Sequence, residues 1–440
     1  MMRRLLSLFT LALACAFASP VLAENWPHWR GPAFNGTSPE TNLPIKFSKT
    51  DNVAWAINLP GDGPSTPVIH GERAFASVAA PDNKLLGICY DRKNGTELWQ
   101  KHIATDGPSD RRSNKAGPSP VTDGKTVVFF FGSGDLAAYT VEGKELWKRN
   151  ICQEYGDFSF MWTFSSSPTI YGDLVVLPVL QNTRPYRQPK FKPGTESFIL
   201  GVDLKSGENK FKVERPSAAV AESLEAFTTI IPHKHGDREE LLVAGGDALT
   251  GHDPKTGKEL WRWATWTPGK IVHWRLVPSP IAGAGVVIAC APKGAPIYAV
   301  KLGGNGDISD NGLAWKSEGG DLSSDVSTPA FYDGDFFVLN SDRRALSRVT
   351  PKGEVVWSIE KLPGRSKYEA SPTVADGKVY TINHKGEADV IDAKNGKVLH
   401  STDLGEANTG DNRPSVVVCQ GQLFIKVGDR LYCFGKGNVN

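Results

Sequence analysis

No two of the six cysteines are neighbours, and none sits in a Cys-x-x-Cys-His run, so attachment of a c-type haem is excluded. A Gly-x-Ser-x-Gly elbow and a His-Glu-x-x-His pair are also missing, which leaves hydrolase chemistry without a motif. Gly245-Gly246 and Gly303-Gly304 read as turns and not as phosphate cradles, because no helix follows either pair. The nine histidines are scattered. His233 and His235 would share one face of a strand, but no third ligand lies near them, and no metal site is expected. Apolar residues never recur at helical spacing over a sustained stretch, which excludes a helical solenoid.

Long hydrophobic runs are confined to the N-terminus. Arg3 and Arg4 precede an apolar run from Leu5 to Ala18, and Val21-Leu22-Ala23 offers a small-residue cleavage pattern before Glu24. This reads as a secretory signal over residues 1–23, too short for a comfortable membrane span. Simple cleavage is favoured over lipidation at Cys15, because the leucine expected three residues ahead is missing. The processed chain is expected in the periplasm or outside the cell. Loss of Arg3 and Arg4 leaves 48 basic against 48 acidic residues. A balanced charge gives no support for nucleic acid or an anionic membrane surface as partner, and a monomer with no transmembrane segment is expected. Five cysteines remain after cleavage, an odd and widely spaced set that forms no disulfide framework. Cys419 and Cys433 are near enough to pair, but two buried strand cysteines is the preferred reading.

What the chain has in quantity is glycine (45), proline (30) and tryptophan (12), and they fall in two alternating patterns. The first is Ser/Thr-Pro, an apolar stretch, then Gly or Asp-Gly. It occurs at Thr66-Pro67, Ser119-Pro120, Ser167-Pro168, Ser279-Pro280, Thr328-Pro329 and Ser371-Pro372, with degenerate copies at Thr229-Ile230 and Ser415-Val416. The second is a strand, an Asp, a Gly-bearing turn and an aromatic about four residues on, as in Asp91 to Gly95 to Trp99 and Asp253 to Gly257 to Trp261. Looser copies end at Trp147, Phe211, Trp315, Trp357 and His400, and Trp55 has the strand without the turn. Both patterns occur eight times. Repeats of this length built from short strands and turns belong to propellers.

Each unit divides into four strands. After Ser371-Pro372 these are expected at 372–375, 378–384, 388–392 and 397–401, with Asp376-Gly377 and Asn395-Gly396 as turns. Pro suits the start of the innermost strand, where a ladder donor can be spared. The aromatics Trp55, Trp99, Trp147, Phe211, Trp261, Trp315 and Trp357 lie on the outermost strand. There each can cover the neighbouring blade, and repetition itself marks them as scaffold. The last unit has only three strands, over 415–419, 422–427 and 430–434. The N-terminal strand around Trp55 can supply its fourth and remove an open edge. The expected architecture is all-β: a propeller over residues 51–440 with eight four-stranded antiparallel blades, preceded by an extended segment over 24–50.

The turn-and-Trp repeat resembles that of quinoprotein (pyrroloquinoline-quinone-type, PQQ-like) propellers, which include quinoprotein dehydrogenases and BamB-like envelope proteins. Asn25-Trp26-Pro27-His28-Trp29-Arg30-Gly31, with Asn35 to Ser38 and Asn52 to Trp55, is similar to how many secreted members begin. The resemblance covers nearly all of the processed chain and implies the fold. It carries no activity with it, since propellers host many unrelated functions. The dehydrogenases carry a vicinal cysteine pair that is missing here, and this chain is short beside them. BamB-like members are typically lipid-anchored, which the poor lipidation signal does not match.

Departures from the repeat mark candidate functional segments on the channel face. They are the loop with Asp110, Arg111, Arg112, Asn114 and Lys115; the aromatic run from Tyr155 to Phe164 with Trp162; the insertion from Gln181 to Glu196 with Arg184, Arg187, Lys190 and Lys192; and the stretch from Trp266 to Val277 with His273, Trp274 and Arg275. Glu225, Asp325, Glu369 and Arg413 each stand just ahead of an inner strand. An anionic, flat, aromatic ligand would suit Arg and Trp in combination, and PQQ held with Ca²⁺ is such a ligand. Acids and arginines around a propeller channel also commonly pair with each other to satisfy buried polar groups, which is the plainer reading of each residue. No catalytic residue is assigned. A non-catalytic binding module for a protein or cell-envelope partner is preferred, and a small PQQ- and Ca-dependent alcohol or sugar dehydrogenase is the alternative.

Overall fold

A computed structural model describes residues 24–107, 113–182, 196–264, 271–406 and 410–436. Eight antiparallel sheets follow one another along the chain, each running from an inner to an outer strand. Blade 1 comprises Val68–His70, Arg73–Ala79, Lys84–Asp91 and Glu97–Thr105. Blade 7 comprises Thr373–Ala375, Lys378–Ile382, Glu387–Asp392 and Val398–Asp403, within two residues of the boundaries read from sequence. Two blades gain a short parallel strand: Thr37–Ser38 beside the inner strand of blade 7, and Gly306–Asp307 beside the outer strand of blade 4. Helix is nearly absent among the described residues, with one turn at Ile151–Tyr155 and a 3₁₀ turn at Ala221–Leu224.

Closure follows the sequence reading. Val417–Cys419, Gln422–Val427 and Arg430–Phe434 form three strands of blade 8, and Val53–Asn58 pairs antiparallel with Arg430–Phe434 as the fourth. A one-residue slip in register precedes the aromatic position of the outer strand in every blade. The slip recurs between Val53 and Trp55. The N-terminal strand is therefore a true outer strand.

The slip aims each aromatic at the next blade. The indoles of Trp55, Trp99, Trp147, Trp315 and Trp357 donate Nε1–H to the carbonyls of Arg92, Val141, Leu204, Pro351 and Ala393, all in the following unit. The turn glycine beneath is needed twice over. Gly396 has φ +74°, and a Cβ there would lie 2.9 Å from the Trp357 ring, so only glycine permits both the turn and the close approach. Phe211 packs on Gly257 in the same manner without a hydrogen bond. His400 bonds the Phe47 carbonyl, because residues 45–50 stand where a further turn would be. Trp261 departs from the rule: it donates to Glu240 of its own blade over 2.7 Å. Blade 5 lacks the Asp-to-Gly turn that would offer an acceptor, and the Gly306–Asp307 strand occupies that place.

Cys89, Cys152, Cys290, Cys419 and Cys433 are all free thiols, and Cys419 and Cys433 are buried. Among the described residues no helix is long and apolar enough to cross a membrane.

Candidate functional site

The inner strands converge on a central channel, and the residue ahead of each one forms a ring. The backbone N–H of Thr66 donates to the Ser119 hydroxyl, Ser119 to Ser167, Ser167 to Thr229, Thr229 to Ser279, Ser279 to Thr328, and Thr328 to Ser371, over 2.9–3.1 Å. Ser415 N–H then returns to the Thr66 hydroxyl over 3.0 Å. These eight residues, the hydroxyl positions of the first sequence pattern, make a collar whose seven bonds run from blade 8 through blade 1 to blade 7. They are between 1% and 6% exposed.

Residues 24–40 close the channel from the side of the hairpins that follow the inner strands. Trp26 pairs with Ile69 of blade 1, and Thr122 of blade 2 donates to the Pro27 carbonyl. The segment then crosses to the far side, where Arg30 donates to the Pro329 and Pro372 carbonyls of blades 6 and 7. Val374 donates to the Gly36 carbonyl. Arg30 is wholly buried, bonds no carboxylate, and lies 5.4 Å over the Trp29 ring. Burial pushes its guanidinium down to about 9. Burial and the adjacent Arg30 charge hold His28 at about 3. Residues 24–40, within the stretch expected as an extended segment over 24–50, thus plug the channel.

Above the plug lies a cavity of about 240 Å³, floored by Trp29 and ringed by the collar. Trp162, Phe227, Arg275, Asp325, Lys367, Glu369 and Arg413 line its wall. Five of the residues singled out from sequence therefore meet there: Trp162, Arg275, Asp325, Glu369 and Arg413. Trp29, Lys367 and the collar were missed.

The charged wall residues are held by partners. Glu369 contacts His384 Nε2 at 2.8 Å and Arg413 Nε at 2.7 Å. Burial works against its charge, but His384 and Arg413 overcome that and hold the carboxyl at about 2. Arg275 pairs with Glu222 over 3.0 Å, Lys367 with Asp342 over 2.5 Å, and Asp325 accepts the Lys293 N–H over 2.9 Å.

The other candidates are placed elsewhere. Glu225 is 1% exposed and accepts the Met161 N–H over 3.0 Å, behind the wall. Burial, helped by the nearby Glu222 charge, raises its carboxyl to about 8. Asn114 bonds Asp62 at the rim, and Lys115 pairs with Asp106 over 2.6 Å. His273 is exposed, and Trp274 packs against the blade 4 core. The Tyr155 to Phe164 run is mainly packing: Phe158 stacks on Phe164 at 4.6 Å, and Phe160 meets Phe227 at 5.4 Å. Asp110, Arg111, Arg112, Arg184, Arg187, Lys190, Lys192 and Trp266 lie outside the described residues.

Solved structures share this architecture at low identity. A europium-containing methanol dehydrogenase is 13% identical with a TM-score of 0.69, covering 94% of this chain and 98% of that one. BamB from Moraxella catarrhalis is 14% identical with a TM-score of 0.57, covering 88% and 97%. The computationally designed Ika8 protein is 14% identical with a TM-score of 0.60, covering 87% and 99%. At these identities the likeness shows the fold alone. No curated protein matches the sequence. A family sequence model described as outer membrane protein assembly factor BamB matches residues 45–186 and 305–439, well over half of the chain. The chain belongs to that family of PQQ-like β-propellers.

Proposed function

We propose that the protein is an exported, non-catalytic binding module that receives part of a protein or cell-envelope partner at the open mouth of its channel. The observation that carries this reading is the saturation of the wall: the acids near the cavity are already engaged by arginine, histidine or backbone N–H groups. An acid held at about 2 between Arg413 and His384, as Glu369 is, is a poor proton acceptor at neutral pH. Such a wall offers a shaped, hydrogen-bonding surface on which the acids, among the described residues, already have partners. The family match to residues 45–186 and 305–439 supports a partner-binding role without naming the partner.

PQQ with calcium is the alternative, and the residues fit it incompletely. The Trp29 floor and the Arg275 and Arg413 side chains suit an anionic ring in kind. Calcium asks for convergent carboxylate and carbonyl oxygens. Glu225 is behind the wall, Glu369 is bound by His384 and Arg413, and Asp325 takes a backbone N–H. Among the described residues no group of three or more His, Cys, Asp or Glu side chains is placed to hold a metal.

A photo-crosslinking residue at Thr163 in the cavity wall, compared with one at the exposed outer-rim Leu98, tests the reading in the producing cell. Thr163 is expected to label a defined envelope or protein species, and Leu98 is not. Equal labelling from both positions would overturn it. So would alcohol- or sugar-dependent dye reduction by the purified protein with PQQ and Ca²⁺.

A further inference from the structure

Among the described residues the collar hydroxyls accept hydrogen bonds and donate none to the protein. Seven of the collar's eight oxygens take a backbone N–H from a neighbouring blade. Among the described residues, none of the eight hydroxyls donates to a protein acceptor. Two threonines farther along the inner strands behave differently: Thr169 gives its proton to the Ile230 carbonyl and Thr373 to the Val416 carbonyl. The collar residues are all more than nine-tenths buried, and all line the cavity. A buried hydroxyl keeps a donor in need of an acceptor. One whose oxygen already accepts an N–H is polarised into a better donor. The fold therefore brings a ring of such donors to a single cavity.

Charge decides what kind of acceptor fits. The cavity wall carries Arg275, Lys367 and Arg413 against Asp325 and Glu369. Beneath it, Arg30 is wholly buried and bonds only two carbonyls. The wall cations are each paired with an acid, Arg275 with Glu222, Lys367 with Asp342, and Arg413 with Glu369 and Asp411, but Arg30 under the floor has no counter-ion among the described residues. A neutral solute would leave that charge uncompensated, whereas an anion on the axis would be stabilised by it in a low-dielectric setting.

We infer that the hydroxyl collar is a receptor for an oxyanion, a carboxylate or phosphate group held on the channel axis by convergent hydroxyl donors. This deepens the binding reading above and rests on it, since it names the chemistry of what enters the mouth. The oxyanion is either a free small ion or a group carried on the partner, and the test separates the two.

Selenate is the probe, because it scatters anomalously and mimics phosphate and sulfate in shape. Crystals soaked in selenate are expected to show a peak on the channel axis within hydrogen-bond distance of several collar oxygens. Calorimetry with inorganic phosphate at low ionic strength is expected to show saturable binding. Ser279→Ala should weaken it by about tenfold, while Ser279→Thr, which keeps the hydroxyl, retains it. Lys367→Gln, outside the collar, gives a second variant should the alanine chain fold poorly, and a several-fold weakening is expected. Water alone in the collar at saturating selenate, or a peak only at the rim, would overturn the inference. Unchanged phosphate affinity in Ser279→Ala would do the same. Competition by phosphate against the Thr163 cross-link assigns the oxyanion to the partner, and a cross-link indifferent to bound phosphate assigns it to a free ion. A persistent cross-link with an empty collar defeats this inference alone. A filled collar without a cross-link defeats the partner reading alone.

Discussion

The backbone N–H of Glu24 donates to the Glu40 carboxylate over 2.9 Å, and the same carboxylate accepts the N–H groups of Gln420 and Gly421 in blade 8. Glu40 is 5% exposed. One side chain thus fastens the start of the plug to the final blade. Glu40→Ala strands three donors and should cost about 2 kcal/mol, lowering Tm by several degrees in a thermal melt. Cleavage after Ala23 would turn the Glu24 amide into a charged amine, which strengthens this contact. The substitution is therefore expected to cost more in a chain beginning at Glu24 than in one with a Gly-Ser extension. Equal losses would count against the charged contact.

Trp357 covers Gly396 and bonds the Ala393 carbonyl over 3.1 Å. Trp357→Phe keeps most of the packing and loses the hydrogen bond, at about 1 kcal/mol. Trp357→Ala also opens a gap between blades, at about 3–5 kcal/mol. Denaturant titration should separate the two. Trp261→Phe should cost more than Trp357→Phe, because it takes the donor from Oε2 of the buried Glu240 carboxylate and leaves that charge to Arg238.

Glu225 gives a pH dependence of unusual sign. Its folded value of about 8 lies above the ordinary carboxylate range, so between the two the folded state binds more protons than the unfolded one. Stability contributed by this group is complete below the ordinary carboxylate value and falls as pH rises through about 8. Glu225→Gln should flatten that alkaline loss. A stability profile from pH 5 to pH 9 that is parallel in both chains would exclude it.

Glu369 behaves oppositely. Held at about 2, it contributes stability that is complete above the ordinary carboxylate value and is lost as pH falls through about 2. Glu369→Gln at pH 7 removes the buried carboxylate between His384 and Arg413 and leaves them only the longer contacts to the exposed Asp411, at 3.4 and 3.3 Å. The expected cost is about 3 kcal/mol, measured by chemical unfolding, and it should shrink toward pH 3.

Deletion of residues 24–58 removes the plug and the outer strand of blade 8, exposing the edge of Arg430–Phe434. The truncated chain is expected to aggregate. A soluble, cooperatively unfolding product would refute the closure argument, and light scattering with a thermal melt decides it.

The scaffold was legible because its determinants are local and repeated. Asp91, Gly95 and Trp99 lie within one turn and strand, and each repeat restates the pattern. The site was partly legible, because Asp325, Glu369 and Arg413 sit in one short stretch, within four residues ahead of a collar hydroxyl. Glu225 occupies the same place and yet is buried, since Met161 packs over it from a segment some sixty residues earlier. Trp29 was out of reach: its role follows from Arg30 meeting Pro329, a contact 299 residues apart that no spacing reveals. The collar did leave a signal. At Thr229-Ile230 and Ser415-Val416 the proline is lost and the hydroxyl is kept, which marks the oxygen as the part of the pattern that every blade requires.

Blade 8 joins Val53–Asn58 to Arg430–Phe434, and this sets an order of assembly. The outer strand of blade 8 is synthesised before any of the other seven blades and waits for Arg430–Phe434, so the ring stays open until those residues are made. Seven blades can take shape one after another, but the final seam is made only once Arg430–Phe434 has been synthesised. A product cut short near its end would be a ring with a missing clasp, and quality-control proteases are well suited to find it.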